Sequence, residues 1–144
     1  MASDATHGIV LDTSFLVAYH NERDGHHARA LEVMERVTAR EWQTTLLPEY
    51  VFLELMTVLA RRRDLATAVS AGEWLLAVEE LEFVPCSEVF LDVFDLFGRL
   101  QGMDPSFTDA AIVAIARRRG IDRVATFDRD FLQVKGLEVV PTLS

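Results

Sequence analysis

The sequence predicts an α/β protein built around a parallel β-sheet. Short apolar runs rich in β-branched residues alternate with longer segments of helical periodicity, and this alternation is typical of βαβ units. The strand-like runs are apolar at nearly every position, as strands covered on both faces are. Half of the 144 residues are hydrophobic and 26% are charged. We therefore expect one domain over residues 8–144, preceded by a flexible segment at residues 1–7.

The first half of the chain contains two of the expected strands. Residues 8–11 form an apolar run that Asp12 closes, which indicates a buried strand followed by a short helix through residues 15–18. After a loop, residues 26–40 carry apolar side chains at helical spacing. A weaker strand is predicted at residues 44–47. Pro48 then favours the start of an unusually apolar helix over residues 49–63.

The second half continues the alternation. Residues 89–100 carry acids on one side and aromatic residues on the other, which indicates an amphipathic helix with one solvated face. Residues 107–119 are apolar nearly throughout, as a buried helix is. The remaining predictions are a helix at residues 65–81 and strands at residues 83–84, 123–127 and 137–140.

The charge balance and the cysteine count exclude several classes of protein. The 14 Lys and Arg against 23 Asp and Glu give a formal net charge of −9, which excludes a wholly basic coat on nucleic acid. A nuclease is not excluded, because acids that hold metal ions add to the negative total. The single cysteine, Cys86, excludes an internal disulfide framework and a four-cysteine zinc site. No secretory signal or bilayer-length apolar run is visible, so we expect a cytoplasmic protein.

Four acidic residues stand in unusual surroundings. Asp12 and Asp128 each follow a predicted strand, and the carboxyl ends of parallel strands meet at one edge of a sheet, where ligands bind. Glu54 and Asp109 lie in apolar helices, where a carboxylate must be paired or neutralised. Four carboxylates in one pocket would repel one another unless a cation or protons offset their charge. Oxygen ligands alone indicate a hard cation, Mg²⁺ or Mn²⁺.

Each of these acids also has a purely structural interpretation. Asp12 could cap the helix that follows it, and Glu54 could pair with a buried arginine. Asp109 with Ser106 is close to a capping box, which is compatible with a metal role. Asp128 could be a turn residue.

Four segments resemble motifs of the PIN-domain ribonuclease family. Residues 9–18 (IVLDTSFLVA) are similar to its opening motif, residues 106–116 (SFTDAAIVAIA) to its third acidic motif, and residues 124–131 (VATFDRDF) to its fourth. Glu54-Leu55 resembles the second. The motifs follow the family's order from about residue 8 to residue 140. In size and layout the chain resembles the VapC-like toxins of type II toxin–antitoxin pairs.

The resemblance implies a three-layer α/β/α sandwich with a short parallel sheet and a metal-dependent endoribonuclease. Water activated at one or two bound Mg²⁺ or Mn²⁺ ions would attack an RNA phosphodiester. The implied metal-holding and catalytic acids are Asp12, Glu54, Asp109 and Asp128. Ser14 and Thr126 match the hydroxyl residues that support the first and fourth acids.

Two acids have rivals because the motifs depart from the family pattern. Family members often have Asn or Asp three residues before another Asp and then Phe, whereas Asp128, Asp130 and Phe131 are spaced one residue closer. Either Asp128 or Asp130 could therefore be the fourth acid, and we favour Asp128. Glu49 is a rival to Glu54, which fits the second motif better.

The expected partners are RNA, a second copy of the chain and a small antitoxin protein. An antitoxin would cover the acidic crevice, and apolar helices over residues 49–81 could form a dimer face. Two arginine clusters could bind RNA, although both end predicted helices, where cations favour the helix dipole. His20, His26 and His27 lack zinc-type ligand spacing, so we expect them at the surface. The RNA-binding candidates are Arg61, Arg62, Arg117, Arg118 and Arg129.

Three alternatives remain open on sequence alone. The chain could be a free-standing PIN-domain RNA-processing nuclease with no antitoxin, or a PIN fold that binds without catalysis. A phosphatase of the haloacid dehalogenase type would use Asp12 as a nucleophile, but it needs a second Asp where Ser14 stands.

Overall fold

The computed structural model describes residues 8–100 and 102–143. The expected flexible segment at residues 1–7 lies outside these residues. The strands are β1 (Gly8–Leu11), β2 (Thr44–Pro48), β3 (Leu81–Val84), β4 (Arg123–Ala125) and β5 (Glu138–Val140). The α-helices are α1 (Thr13–His20), α2 (His27–Thr38), α3 (Glu49–Arg62), α4 (Leu65–Ala77), α5 (Phe90–Phe97) and α6 (Phe107–Arg119). Among the described residues, 3-10 helices also cover Cys86–Glu88 and Arg129–Gln133.

The strands form one parallel sheet in the order β3-β2-β1-β4-β5. The chain moves outward from β1 to β3 and then returns to the other side of β1 to form β4. This reversal makes the carboxyl ends of β1 and β4 a topological switch point, where open α/β sheets bind their ligands. Leu11 of β1 pairs with Ala125 of β4, so the residues that follow these two strands emerge side by side.

The helices form two layers. α1 to α4 pack on one another, and α5 packs on α6, which contacts β1 and β2. Because parallel crossovers are right-handed and the chain reverses direction between β3 and β4, the two groups cover opposite faces of the sheet. The α/β fold with a parallel sheet is thus confirmed. β1 is wholly buried, and α6 is buried from Ala110 to Ala116, which explains why both segments are apolar throughout.

Several predicted boundaries are wrong. The helix predicted over residues 65–81 ends at Ala77, because Val78 takes an extended backbone (φ −75°, ψ 114°) and Leu81 already belongs to β3. The strand predicted to reach Phe127 ends at Ala125. Within residues 8–100 and 102–143, no helix combines the length and apolar content that crossing a membrane requires.

The apolar side of α5 is more exposed than its amphipathic pattern predicts. Leu91 is 77% exposed, Phe94 66% and Phe90 53%, while Val93 is fully buried. The pattern identifies which side of the helix is apolar, but only part of this side, at Val93, packs into the core of the single chain.

Candidate active site

A cleft of about 470 Å³ opens at the carboxyl edge of the sheet. All four acids singled out by the sequence line it, although they come from a strand end, two helices and a loop. The lining acids are Asp12, Glu54, Asp109 and Asp128, together with Asp24. The fold therefore brings the predicted residues to one place.

Asp12 lies at the switch point, directly after β1. Its backbone N–H donates to the Ala125 carbonyl (3.0 Å), which extends the pairing of β1 with β4. The side chain is only 3% exposed, and its Oδ2 accepts hydrogen bonds from Ser14 Oγ (2.8 Å) and Thr126 Oγ1 (2.6 Å). Burial raises the pKa of Asp12 from 3.8 to about 6, and the two hydroxyls oppose this rise. Asp12 occupies the N-cap position of α1 but makes no side-chain capping bond to a described residue.

Ser14 and Thr126 hold the Asp12 carboxylate in one orientation. Ser14 Oγ accepts from the Phe127 N–H (3.0 Å), and Thr126 Oγ1 accepts from the Asp128 N–H (2.9 Å). Each hydroxyl has a single proton, so accepting from the backbone leaves that proton for Oδ2 of Asp12. The loop after β4 thereby fixes a carboxylate that follows β1.

Asp109 both starts a helix and faces the cleft. The predicted capping box is present: Asp109 N–H donates to Ser106 Oγ (3.0 Å), and Ser106 N–H donates to Asp109 Oδ2 (3.0 Å). The pKa of Asp109 is raised, first by burial and then by the negative charges of Asp128 and Glu54. These electrostatic effects indicate that the acids are close enough to repel one another.

The structure separates Glu54 from its rival, Glu49. Tyr50 near the start of α3 contacts Phe107 at the start of α6, with ring centres 5.8 Å apart. This contact joins the two helices, and Glu54, one turn further along α3, lines the cleft. Glu49 instead accepts a hydrogen bond from the Cys86 N–H (2.8 Å).

Asp128 and Asp130 also differ in position. Asp128 lines the cleft, and its Oδ1 accepts the Asp130 N–H at 2.9 Å. Asp128 is therefore both a turn residue and a cleft residue. Asp130 contributes its backbone to this turn at the start of the 3-10 helix, so its contact with the site is indirect.

The carboxylate oxygens of the cleft suit a hard cation, although they do not already surround one metal position. The lining acids bring several negative charges to one cleft, and Arg62 is the arginine among its lining residues. Within the described residues, no group of three or more His, Cys, Asp and Glu side chains already has the arrangement of a metal-binding cluster. Mg²⁺ commonly takes one or two carboxylates and keeps several waters, so such a cluster is not required.

The candidate RNA-binding arginines are spread over the molecule. Arg62 lines the cleft, two turns beyond Glu54 on α3, and Arg61 beside it is exposed. Arg117 and Arg118 lie at the other end of α6 from Asp109, about 12 Å along the helix for eight residues. Arg118 there pairs with Asp92 (2.8 Å).

The remaining arginine candidate, Arg129, is exposed at the start of the 3-10 helix that follows Asp128.

Several cleft residues were not predicted from the sequence, and three of them are charged or aromatic. Asp24, His26 and Phe127 all line the cleft. His26 was assigned to the surface, and it is exposed, but its position beside the acids depends on a contact with Phe127 that no local pattern reports. His20 is more buried than expected, and burial lowers its pKa to about 4.

Comparison with known proteins decides the family. The family model described as the PIN domain matches residues 9–137. The chain belongs to the PIN-domain family. This PIN domain is also 31% identical over 134 residues to the 23S rRNA-specific endonuclease VapC20 of Mycobacterium tuberculosis, covering 92% of this chain and 98% of the relative. Membership of this family disagrees with the phosphatase alternative.

Solved structures agree with this assignment. The crystal structure of Mycobacterium tuberculosis VapC20, described as a sarcin-ricin loop cleaving toxin, has a TM-score of 0.74 at 27% identity, over 86% of this PIN domain and 92% of that chain. VapBC2 of Rickettsia felis, bound to a DNA fragment from its promoter, has a TM-score of 0.64 at 17% identity, over 92% and 96% of the two chains. The latter likeness concerns the fold alone.

Proposed function

We propose that this PIN domain is a metal-dependent endoribonuclease that acts as a VapC-like toxin in the cytoplasm. One observation carries the proposal: Asp12, a buried carboxylate at the sheet's switch point, faces a cleft that Glu54, Asp109 and Asp128 also line. The similarity to VapC20, an endonuclease specific for 23S rRNA, supports RNA as the substrate.

The charge of the cleft supports the metal. The raised pKa values of Asp12 and Asp109 report negative charge that burial leaves poorly compensated. Asp12, Glu54, Asp109 and Asp128 would hold Mg²⁺ or Mn²⁺. A bound ion of this kind activates water and stabilises charge on the phosphate and on the leaving oxygen.

The protein's own residues would orient the reaction. Ser14 and Thr126 hold Asp12 through Oδ2, and the capping box holds Asp109 at the first turn of α6. Arg62 would bind the RNA backbone at the edge of the cleft. We assign no side chain as the nucleophile: water would attack the phosphorus and the bond to the leaving oxygen would break, without a covalent intermediate.

The test is cleavage of RNA by the purified chain with Mg²⁺, with Mn²⁺ and with EDTA. The first substrate is an RNA containing the sarcin-ricin loop, the element that VapC20 is described as cleaving. We expect cleavage with either metal and none with EDTA. Asp12→Asn should abolish cleavage while the fold is retained, and Asp95→Asn on the exposed side of α5 should not. Cleavage in EDTA, or by Asp12→Asn at the unmodified rate, contradicts the proposal.

The toxin assignment adds an antitoxin partner. The likeness to VapC20, described as a toxin, supports this partner, as does an acidic cleft open to an arginine side chain from another protein. Expression of the chain should arrest growth, and coexpression of a small neighbouring frame should relieve the arrest. Arrest that no neighbouring frame relieves favours the free-standing processing nuclease instead. RNA binding without cleavage favours the inactive binding module.

A homodimer would cover the exposed apolar surfaces. Helices α3 and α4, where the dimer face is expected, expose Leu53, Leu65 and Leu76. Exposed apolar side chains are more closely spaced on α5, where four large ones are exposed within eight residues. We therefore favour α5 as the contact between two copies.

A further inference from the structure

A column of three stacked rings stands at the edge of the cleft. Phe15 is fully buried, and its ring centre lies 6.4 Å from that of Phe127, with 29° between the planes. His26 lies 4.4 Å from Phe127 and within 6° of parallel. The column thus begins in the core and ends with His26, which is exposed.

The column is fixed by the network that orders the carboxylates. Phe127 N–H donates to Ser14 Oγ (3.0 Å), and Ser14 donates to Asp12. On the other side, His26 N–H donates to Asp24 Oδ1 (2.8 Å). The stacking on Phe127 places His26 beside the cleft before any ligand arrives, which lowers the entropy cost of binding on it.

The loop is anchored a second time at its start. Arg63 Nη1 donates to Asn21 Oδ1 (3.0 Å), and Asn21 Oδ1 also accepts the Arg23 N–H (3.1 Å). At its end, His27 Nδ1 lies 2.7 Å from the Ala18 carbonyl. These contacts tie both ends of the loop to α1 and α3.

The surroundings of the column match a nucleotide. Single-stranded nucleic acid is held by aromatic faces that stack on its bases and by cations that contact its backbone. The Arg29 guanidinium lies 5.9 Å from the centre of the Phe127 ring and donates to the Thr142 carbonyl (2.6 Å). Arg62 lines the cleft itself and is the cation that can reach a phosphate there. Phe127 and His26 line this cleft together with Asp12, so a base on the column would be joined to a phosphate near the acids.

We propose that His26, stacked on Phe127, is the platform for an unpaired nucleobase next to the phosphate that is cleaved. The proposal rests on the proposed function for the identity of the ligand. It makes the enzyme selective for RNA in which this base is unpaired, because a base inside a duplex has no free face for His26.

The test measures stacking directly. RNA hairpins with 2-aminopurine at each loop position in turn are mixed with the full chain under two conditions in which the RNA is not consumed: the unmodified chain in EDTA, and Asp12→Asn with MgCl₂. At one loop position we expect fluorescence quenching on binding, with no comparable binding to a fully paired RNA. His26→Ala should remove the quenching and weaken binding roughly tenfold, whereas His26→Phe should retain both. Glu22→Ala, on the same loop and exposed, is the control.

The outcomes are separable from those of the cleavage test. Quenching that depends on His26 in a chain that never cleaves RNA supports the platform and contradicts the proposed function. If the unmodified chain cleaves RNA, and His26→Ala binds and quenches as strongly as the unmodified chain, only the platform is contradicted. The platform is also overturned if no loop position is quenched, or if His26→Phe loses as much affinity as His26→Ala while melting at the unmodified temperature.

Discussion

Asp12→Asn should stabilise the metal-free protein at neutral pH. Asp12 is buried and its pKa is raised to about 6, so the fold favours the protonated carboxyl. The stability that this preference contributes is fully present below the unfolded pKa of 3.8 and is lost as the pH rises through about 6. Asparagine does not titrate, and its side-chain oxygen can still accept the protons of Ser14 and Thr126.

The size of the effect follows from the pKa. A rise from 3.8 to about 6 corresponds to about 3 kcal/mol, at 1.36 kcal/mol for each pH unit. Between pH 4 and pH 7.5, the free energy of unfolding of the unmodified chain should fall relative to Asp12→Asn by most of this amount, roughly 2.4 kcal/mol, because the unfolded carboxyl is already partly ionised at pH 4. At roughly 3 °C per kcal/mol for a chain of this size, the difference between the two melting temperatures should change by roughly 7 °C.

The assay is thermal unfolding in EDTA, followed by circular dichroism at pH values from 4 to 7.5. The melting temperature of the unmodified chain is subtracted from that of Asp12→Asn at each pH. This difference cancels the effects of the ionisable groups that both chains share. Asp95→Asn on α5, whose side chain is 63% exposed, is the matched control and should track the unmodified chain. A difference between the unmodified chain and Asp12→Asn that stays constant across this range refutes the reasoning that burial raises the pKa of Asp12.

Three further predictions concern the cleft and the surface. Glu54→Gln should lower RNA cleavage at least 100-fold if it removes a metal-holding acid, and Glu49→Gln should leave it within about twofold; equal losses in a cleavage assay contradict the distinction between them. Arg62→Ala should raise KM for RNA, and in a salt titration it should reduce the slope of log affinity against log salt concentration by about one. Arg118→Ala, distant from the cleft, should change neither quantity. Leu91→Asp should convert a dimer to a monomer, measured by light scattering after gel filtration. A dimer that persists in this variant shows that the interface is not on α5.

The sequence predicted most of the elements because their signals are local. β1 is an apolar run, and α6 has a capping box at its start and Gly120, with a positive φ of 67°, at its end. The end of α4 was missed because Val78 and Leu81 continue the helical spacing of apolar residues, although the backbone leaves the helix at Val78. The exposed side of α5 was missed because periodicity cannot say what covers a helix.

The site was predicted unevenly for a similar reason. Asp12 and Asp128 follow strands, so parallel topology alone brings them to one edge. The stacking of His26 on Phe127 joins residues about 100 positions apart, and neither residue belongs to a local pattern that reports the contact. The motif favoured Glu54 over Glu49, but the position of Glu54 at the cleft depends on the direction of α3 relative to α6, which the sequence leaves open.

The pairing of β1 with β4 determines when Asp12 can be oriented during synthesis of the chain. Asp12 leaves the ribosome well before Thr126, which donates to it from 114 positions further along the chain. A partly synthesised chain therefore carries the first acid without the hydroxyl that orients it or the loop that forms one wall of the cleft. The Asp12 carboxylate can therefore take its final orientation only after β4 and the residues that follow it have been made and have paired with β1.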